Sequence, residues 1–267
     1  MTDSPSLAPL RQQAADLCAR AHVPFSNTPA AAALLLSNGR ILPGVRVESA
    51  SYSLTIPALL NAYTTAVATG HRGDVVAFVL SRPFRREEAL YVEELPHGPY
   101  EEQAPDVWVR SAVAEKGDLP EPTDWLSPYY DGPLHDTSEG IDHVRTVADR
   151  AYVPTSDFPV GALLELTDGR VVPGVNVEHP DWARILCAER NALGTVRSYD
   201  LDAPEHLYLT CLEDEHGTPC GACRQLLAEL APETVLWMDR HSNPPERADC
   251  ATLLPGSFRG QALLGSQ

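Results

Sequence analysis

Cys187 and Glu189 stand two residues apart, and further along Cys220 and Cys223 stand three apart behind Pro219. Three thiolates are good ligands for Zn2+, and a zinc held by three protein groups keeps its fourth position open to act as a Lewis acid on water. A closed structural site has four protein ligands, and this pattern supplies three. Closing it would take His206, His216 or Cys211. A carboxylate two residues after a ligand is close enough to take a proton from water at that position and return it to a nitrogen. A dithiol redox role for Cys220 and Cys223 alone gives Cys187 and Glu189 no use. The expected chemistry is therefore zinc-assisted hydrolysis, with one zinc per chain.

Two helix starts must position these groups. The i, i+3 spacing sets Cys220 and Cys223 on one face of a first turn that Pro219 opens, and Cys187 begins a second helix running through Val196. Three thiolates leave a zinc site with net negative charge, which weakens its pull on water. Two positive helix ends, with Arg190 beside the ligands as an outer-shell group, offset that charge.

The surrounding pattern is repeated. Val23-Pro24 matches Val153-Pro154, and 153 − 23 gives an offset of 130. At this offset Ser156, Pro159, Ala162, Leu164, Gly169-Arg170, Pro173-Gly174-Val175, Val177-Glu178 and Asn191-Ala192 all recur without a gap. Each copy predicts a helix, a hairpin around a turn containing Gly39 or Gly169, a second helix and a third strand, with 75–80 matching 206–211 at an offset of 131. A period this long indicates two copies of a domain, not a solenoid. In the first copy Pro57 and Leu59 replace Cys187 and Glu189, and no cysteine lies between 19 and 186, so that copy cannot build the metal site. A helix through 85–90 is expected there in place of the one after Pro219. Cys18 falls on the apolar face of an N-terminal helix and is read as core. The expected division is a degenerate domain over 1–96, a Pro-rich acidic linker over 97–140 and the metal-bearing domain over 141–267. Trp108, Trp125, Tyr129 and Tyr130 suit an ordered linker better than a free tether. The fold class is α/β, each copy a three-layer α/β/α unit around a central mixed sheet.

Composition narrows the partners. A formal charge of −17 repels polyanions and removes the counterion-release term behind nucleic-acid affinity. Apolar residues make up 43% of the chain, yet no apolar run approaches the roughly 20 residues of a membrane-spanning helix. Residues 1–6 carry no basic, apolar signal pattern, so a cytoplasmic location is expected, where six cysteines need no disulfide framework. A small-molecule substrate, with neither nucleic acid nor membrane as partner, is the expectation.

Cys-x-Glu followed by Pro-Cys-x-x-Cys resembles the zinc deaminase signature. More narrowly, Cys187-Ala188-Glu189-Arg190 with Pro219-Cys220-Gly221-Ala222-Cys223-Arg224-Gln225 resembles the nucleoside cytidine deaminases. The likeness extends to Phe158-Pro159-Val160-Gly161-Ala162, Asn176-Val177-Glu178 and Leu253-Leu254-Pro255-Gly256-Ser257-Phe258. It covers nearly all of 140–260, and residues 7–80 match more weakly. The resemblance implies that Cys187, Cys220 and Cys223 ligate zinc and Glu189 shuttles protons. It also implies that Phe158 packs on the pyrimidine, Asn176 and Glu178 bind ribose hydroxyls, and Phe258 is an aromatic lent to a neighbouring site. The implied reaction is hydrolytic deamination of cytidine and deoxycytidine in pyrimidine salvage, by a homodimer resembling a four-module tetramer.

One segment departs from the family. After Asn-x-Glu the usual Asn-Ala-Ser-Tyr is replaced by His179-Pro180-Asp181-Trp182, whereas the first copy reads Glu48-Ser49-Ala50-Ser51-Tyr52. The first copy is therefore expected to supply Ala50 and Tyr52, with Phe25, as walls of the second copy's pocket. The departure, with a module order reversed from familiar two-module members, leaves two alternatives open. One is a related nucleoside substrate such as blasticidin S; the other is a zinc-binding protein without activity.

Overall fold

The apolar run Ala31–Leu36 forms strand β1, buried along its whole length. Its period-two alternation sets the layering. Ala33 and Leu35 cluster with Leu7, Leu10 and Ala14 of helix α1 (Leu7–Leu17), and Ala32, Leu34 and Leu36 cluster with helix α2 (Ala58–Ala68) on the other face. The structure, a computed structural model, describes residues 7–132 and 134–264. Strand β2 (Ile41–Val45) returns antiparallel to β1, and β3 (Val75–Leu80) pairs along the opposite edge of β1. Helix α3 (Arg86–Glu93) follows, covering the span in which a helix was expected.

The next segment differs from its sequence reading. Residues 97–140 were expected as linker, but β4 (Tyr100–Ala104) and β5 (Val107–Arg110) complete the first sheet in the order β2-β1-β3-β5-β4, and the short helix α4 (Ser111–Ala114) follows. Scattered aromatics disguised a half-buried hairpin. Trp108 is core, 6% exposed, and packs against Phe84. The rest is held to both modules by backbone bonds: Leu126 N–H donates to Ile41 O at 2.8 Å and Tyr130 N–H to Val171 O at 2.9 Å.

The second module runs α5 (Thr137–Ala148), β6 (Val160–Leu166), β7 (Val171–Val175), α6 (Ala188–Tyr199), β8 (Pro204–Cys211), α7 (Gly221–Leu230), β9 (Val235–Arg240) and β10 (Asn243–Asp249). Its sheet order is β10-β9-β8-β6-β7. Backbone details recur at the 130-residue offset: Asn27 and Asp157 have φ of 49° and 51°, and Gly39 and Gly169 have φ of 83° and 82°. The modules diverge after the third strand. Helix α7 crosses over so that β9 lies parallel to β8, whereas after α3 the chain runs to the sheet edge and returns, setting β5 antiparallel to β3. The parallel pairing that makes a sheet mixed is thus in the second module. Among the described residues no helix is long and apolar enough to cross a membrane.

The modules meet through α2 and α6. Thr65 and Thr195, equivalent at the 130 offset, touch Oγ1 to Oγ1 at 2.8 Å, so a pseudo-two-fold axis passes between them. Asn61 Nδ2 donates to Gly194 O at 3.1 Å and Ser198 Oγ at 2.9 Å. A Cβ on Gly194 would stand 2.4 Å from Asn61 Oδ1, so only glycine permits this approach.

Within the second module, Arg145 of α5 clamps Asp239 of β9 with bonds of 2.8 and 2.7 Å, and Thr210 Oγ1 and His241 N–H each add one at 2.8 Å. Burial alone would raise the Asp239 carboxyl, but these donors outweigh it and hold the group below its ordinary value. A depressed folded value stabilises the protein above the unfolded pKa of about 3.9 and is lost as pH falls below it. Asp239→Asn is expected to cost about 2 kcal/mol in urea unfolding at pH 7. The difference from wild type should shrink as the pH is taken below 4; a difference that stays constant would show that the carboxylate charge is not what stabilises.

Candidate active site

Two helix starts present the sulfurs. Cys187 is the N-cap of α6 with φ −73° and ψ 158°, and Cys220 is the N-cap of α7 with φ −67° and ψ 170°. Cys223 lies one turn into α7, as the i, i+3 spacing predicts. The three Sγ atoms lie within 4.8 Å of one another, with Cys187 to Cys220 at 3.8 Å and Cys220 to Cys223 at 3.6 Å. Sulfurs bound at ~2.3 Å to one tetrahedral zinc stand about 3.8 Å apart, so the donor set fits that ion. Among the described residues this is the one group of three metal-ligating side chains. None of the possible fourth ligands joins it. The His216 side chain is 83% exposed, His206 pairs with Trp237, and Cys211 packs against Gly217.

Charge in the cluster is unevenly held. Hydrogen bonds from the Cys187 and Cys223 thiols, helped by the N–H groups of Cys223 and Ala222, bring Cys220 down to about 2. The contact with Cys220 pushes Cys187 up to about 12, and its two sulfur neighbours push Cys223 upward as well. Glu189, 4% exposed, lies in the first turn of α6. Burial raises its carboxyl, against hydrogen bonds from its own backbone N–H and from Cys223.

Arg190 is buried, and Nη2 donates to Leu54 O at 3.0 Å, tying the first turn of α6 to the first module. Phe158 is 36% exposed. Asn176 Nδ2 donates to Phe158 O at 2.9 Å and Oδ1 accepts from Val160 N–H at 2.8 Å, so this amide fixes the backbone beside the aromatic. Glu178 Oε2 accepts from the N–H groups of Thr155 and Ser156 at 2.9 and 3.1 Å. Burial would raise its carboxyl, yet the Ser156 hydroxyl and these two amides hold it low.

The first module reaches helix α7 of the second within the same chain. Ala50 is buried, its N–H donates to Glu229 Oε2 at 3.0 Å, and Ser49 Oγ donates to Glu229 Oε1 at 3.0 Å. Gln225 Nε2 donates to Glu229 and to Phe258 O, and Gln225 Oε1 accepts from Phe258 N–H at 3.2 Å. A Cβ on Gly260 would stand 2.6 Å from Ala50 Cβ and 3.3 Å from the Phe25 ring. Ala50, Phe25 and the backbone of Phe258 are therefore gathered along α7, while the Phe258 residue is 55% exposed. Tyr52 goes elsewhere. It is 68% exposed and borders a cavity of the first module, because the one-turn helix over Tyr52–Leu54 turns it back toward its own domain. The Gln225 and Glu229 clamp escaped sequence reasoning, although an i, i+4 polar pair on the helix that carries Cys223 was its trace.

The departing segment is explained by its location. His179 stacks on Tyr91 of α3 with ring centroids 4.8 Å apart, and its Nε2 lies 3.3 Å from Glu94. Asp181, Ala183 and Arg184 border the first module's cavity. By the pseudo-two-fold, His179, Asp181, Ala183 and Arg184 contact the module without thiols, as Ser49 and Ala50 contact the module with them.

Residues 135–239 and residues 1–81 each match a family model described as the cytidine and deoxycytidylate deaminase zinc-binding region. The cytidine deaminase of Halalkalibacterium halodurans is 36% identical over 116 residues, 42% of this chain and 86% of that protein. That of Mycobacterium tuberculosis is 40% identical over 111 residues, 40% of this chain and 78% of its own. A crystal structure of cytidine deaminase from Burkholderia pseudomallei is 30% identical with a TM-score of 0.44, covering 46% of this chain and all of its own. Each relative spans less than half of this chain.

Metal analysis of the purified protein is expected to give about one zinc per chain, falling close to zero in Cys220→Ala and unchanged in Cys18→Ala. Equal zinc in all three would place the metal elsewhere.

Proposed function

This chain belongs to the cytidine deaminase family, and from that premise we infer that it hydrolyses cytidine and deoxycytidine to uridine and deoxyuridine with release of ammonia, in pyrimidine salvage. The observation that carries the reading is a set of three converging thiols with no fourth protein ligand among the described residues and a buried carboxyl beside them. Zinc, when held by Cys187, Cys220 and Cys223, supplies a Lewis acid that makes water a nucleophile at neutral pH.

Glu189 handles the protons. It takes one from the attacking water and gives it to N3 of the ring, then takes the remaining proton of the new C4 hydroxyl and delivers it to the exocyclic nitrogen as the C4–N bond breaks, the C4 carbonyl forms and ammonia leaves. Its burial keeps bulk water from competing for that proton. Phe158 offers the pyrimidine an exposed aromatic face. Asn176 and Glu178 bind the ribose: the amide retains a second N–H, and the carboxylate, which also takes the Ser156 hydroxyl, still has lone pairs to accept from a ribose hydroxyl. Ala50 and Phe258 close the pocket, held by Glu229 and Gln225. Because 179–184 faces the other module, its departure from the family carries no weight against cytidine. The repeated backbone features support a tandem duplication in which the first copy lost its metal. A homodimer in the cytoplasm is the proposed state, the exposed Phe258 being available to a second copy.

Two variants test this reading. Glu189→Gln should retain zinc and lose about 100-fold to 10⁴-fold in kcat on cytidine, followed by ultraviolet absorbance; near-normal turnover would remove Glu189 from the chemistry. Glu229→Ala should raise KM about tenfold while kcat stays within about threefold, because it loosens the Ala50 and Phe258 walls without touching the proton path. A loss confined to kcat would show that the clamp does not act through binding.

A further inference from the structure

The first module keeps a cavity of about 400 Å³ where the second has its thiols. Among its lining residues Pro57, Leu59 and Arg46 stand 130 positions before Cys187, Glu189 and Asn176. Neither metal ligand nor proton carrier survives, so whatever binds there is not turned over. The pocket has nonetheless not collapsed, and its volume lies in the range of small-molecule sites, roughly 300–1,000 Å³.

We propose that this cavity binds a nucleoside monophosphate as a non-reacting ligand. The floor is apolar, formed by Ala58, Leu59 and Leu60, and Tyr52 at the rim offers an exposed ring for stacking. Four arginines, Arg46, Arg82, Arg85 and Arg184, surround that floor in a chain with only 20 basic residues against 37 acidic ones. The carboxylates at the same cavity are Glu87, Glu88 and Asp181. Two of them are already engaged: Glu88 with Arg82 at 2.8 Å and Asp181 with Arg184 at 3.1 Å. A guanidinium has five N–H donors and keeps several after one such pairing. Arg46, a lining residue, pairs with Glu48 through Nη2 at 2.9 Å and carries a buried Nε without a hydrogen-bond partner. No carboxylate lies within ion-pair distance of the Arg85 guanidinium among the described residues, and Arg85 caps the start of α3, where the helix end adds its own positive potential.

Position argues for the phosphorylated form. Asn176 is read above as a ribose ligand, and its counterpart here is Arg46. A cation at the sugar end disfavours a neutral nucleoside and favours one carrying phosphate. This step rests on the nucleoside reading of the second module; the cavity and its arginines do not.

Calorimetric titration of the full zinc-loaded chain with cytidine 5′-monophosphate tests the proposal. One saturable event with a Kd below about 1 mM is expected, weakened at least about tenfold by Arg85→Glu and by Arg46→Gln, and not displaced by excess cytidine. Inorganic phosphate should compete at least about tenfold more weakly than the nucleotide. Arg85 is exposed and lies outside the proposed catalytic groups, so Arg85→Glu should turn over cytidine within about twofold of wild type. No saturable binding, binding indifferent to both variants, displacement by cytidine, or equal competition by phosphate would each overturn the proposal. Arginine-dependent nucleotide binding in a chain inactive on cytidine would instead overturn the catalytic reading and leave this one standing.

Discussion

The close packing of α2 on α6 is the constraint from which the rest follows. Equivalent threonines meet across the pseudo-axis, and Gly194 lets the Asn61 amide bond directly to the opposing helix. This is an isologous interface formed within one chain, so each surface is used twice in related settings. Parts of the loops leading into the two helices are carried onto opposite modules by the same geometry: Ser49 and Ala50 reach Glu229 of the second module, and Asp181, Ala183 and Arg184 line the first module's cavity.

Electrostatics divides labour between two pockets that share a backbone plan. In the second module, helix N-termini face three sulfurs and a buried carboxyl, a set of four potential negative charges that only a cation can hold together. The thiol protons are unevenly held: mutual hydrogen bonds put Cys220 far below the ordinary thiol value and Cys187 and Cys223 above it. Metal binding must displace those protons, coupling zinc affinity to pH. In the first module Pro57 and Leu59 remove the sulfur and the carboxyl, and arginines gather instead.

Much of this was legible in the sequence. The Cys-x-Glu and Cys-x-x-Cys spacings specified both helix starts, and the uninterrupted 130-residue register specified two modules and the hairpin in each. What escaped was long-range. The β4–β5 hairpin was hidden because β4 buries only Tyr100 ahead of the exposed Glu101, Glu102 and Gln103, and the buried run Val107-Trp108-Val109 is too short to stand out in a Pro-rich acidic stretch. Gln225 and Glu229 escaped because their partners, Ser49, Ala50 and Phe258, lie up to 180 residues away. Tyr52 borders its own module's cavity while Ala50 reaches the other module, because a one-turn helix reverses the chain's direction two residues after Ala50, and nothing in composition marks that reversal.

The crossed loops also change how the family departure is read. Sequence places His179-Pro180-Asp181-Trp182 between a proposed ribose ligand and a proposed metal ligand, and adjacency there suggests an altered substrate. Space places His179 on Tyr91 and Arg184 at a cavity that holds no thiol. In a two-module chain a loop is constrained by the pocket it closes, not by the pocket it adjoins in sequence. His179 and Arg184 contact the first module, whereas Ser49 and Ala50 are hydrogen-bonded to Glu229 on the helix that carries Cys223, so each loop answers to the module it touches.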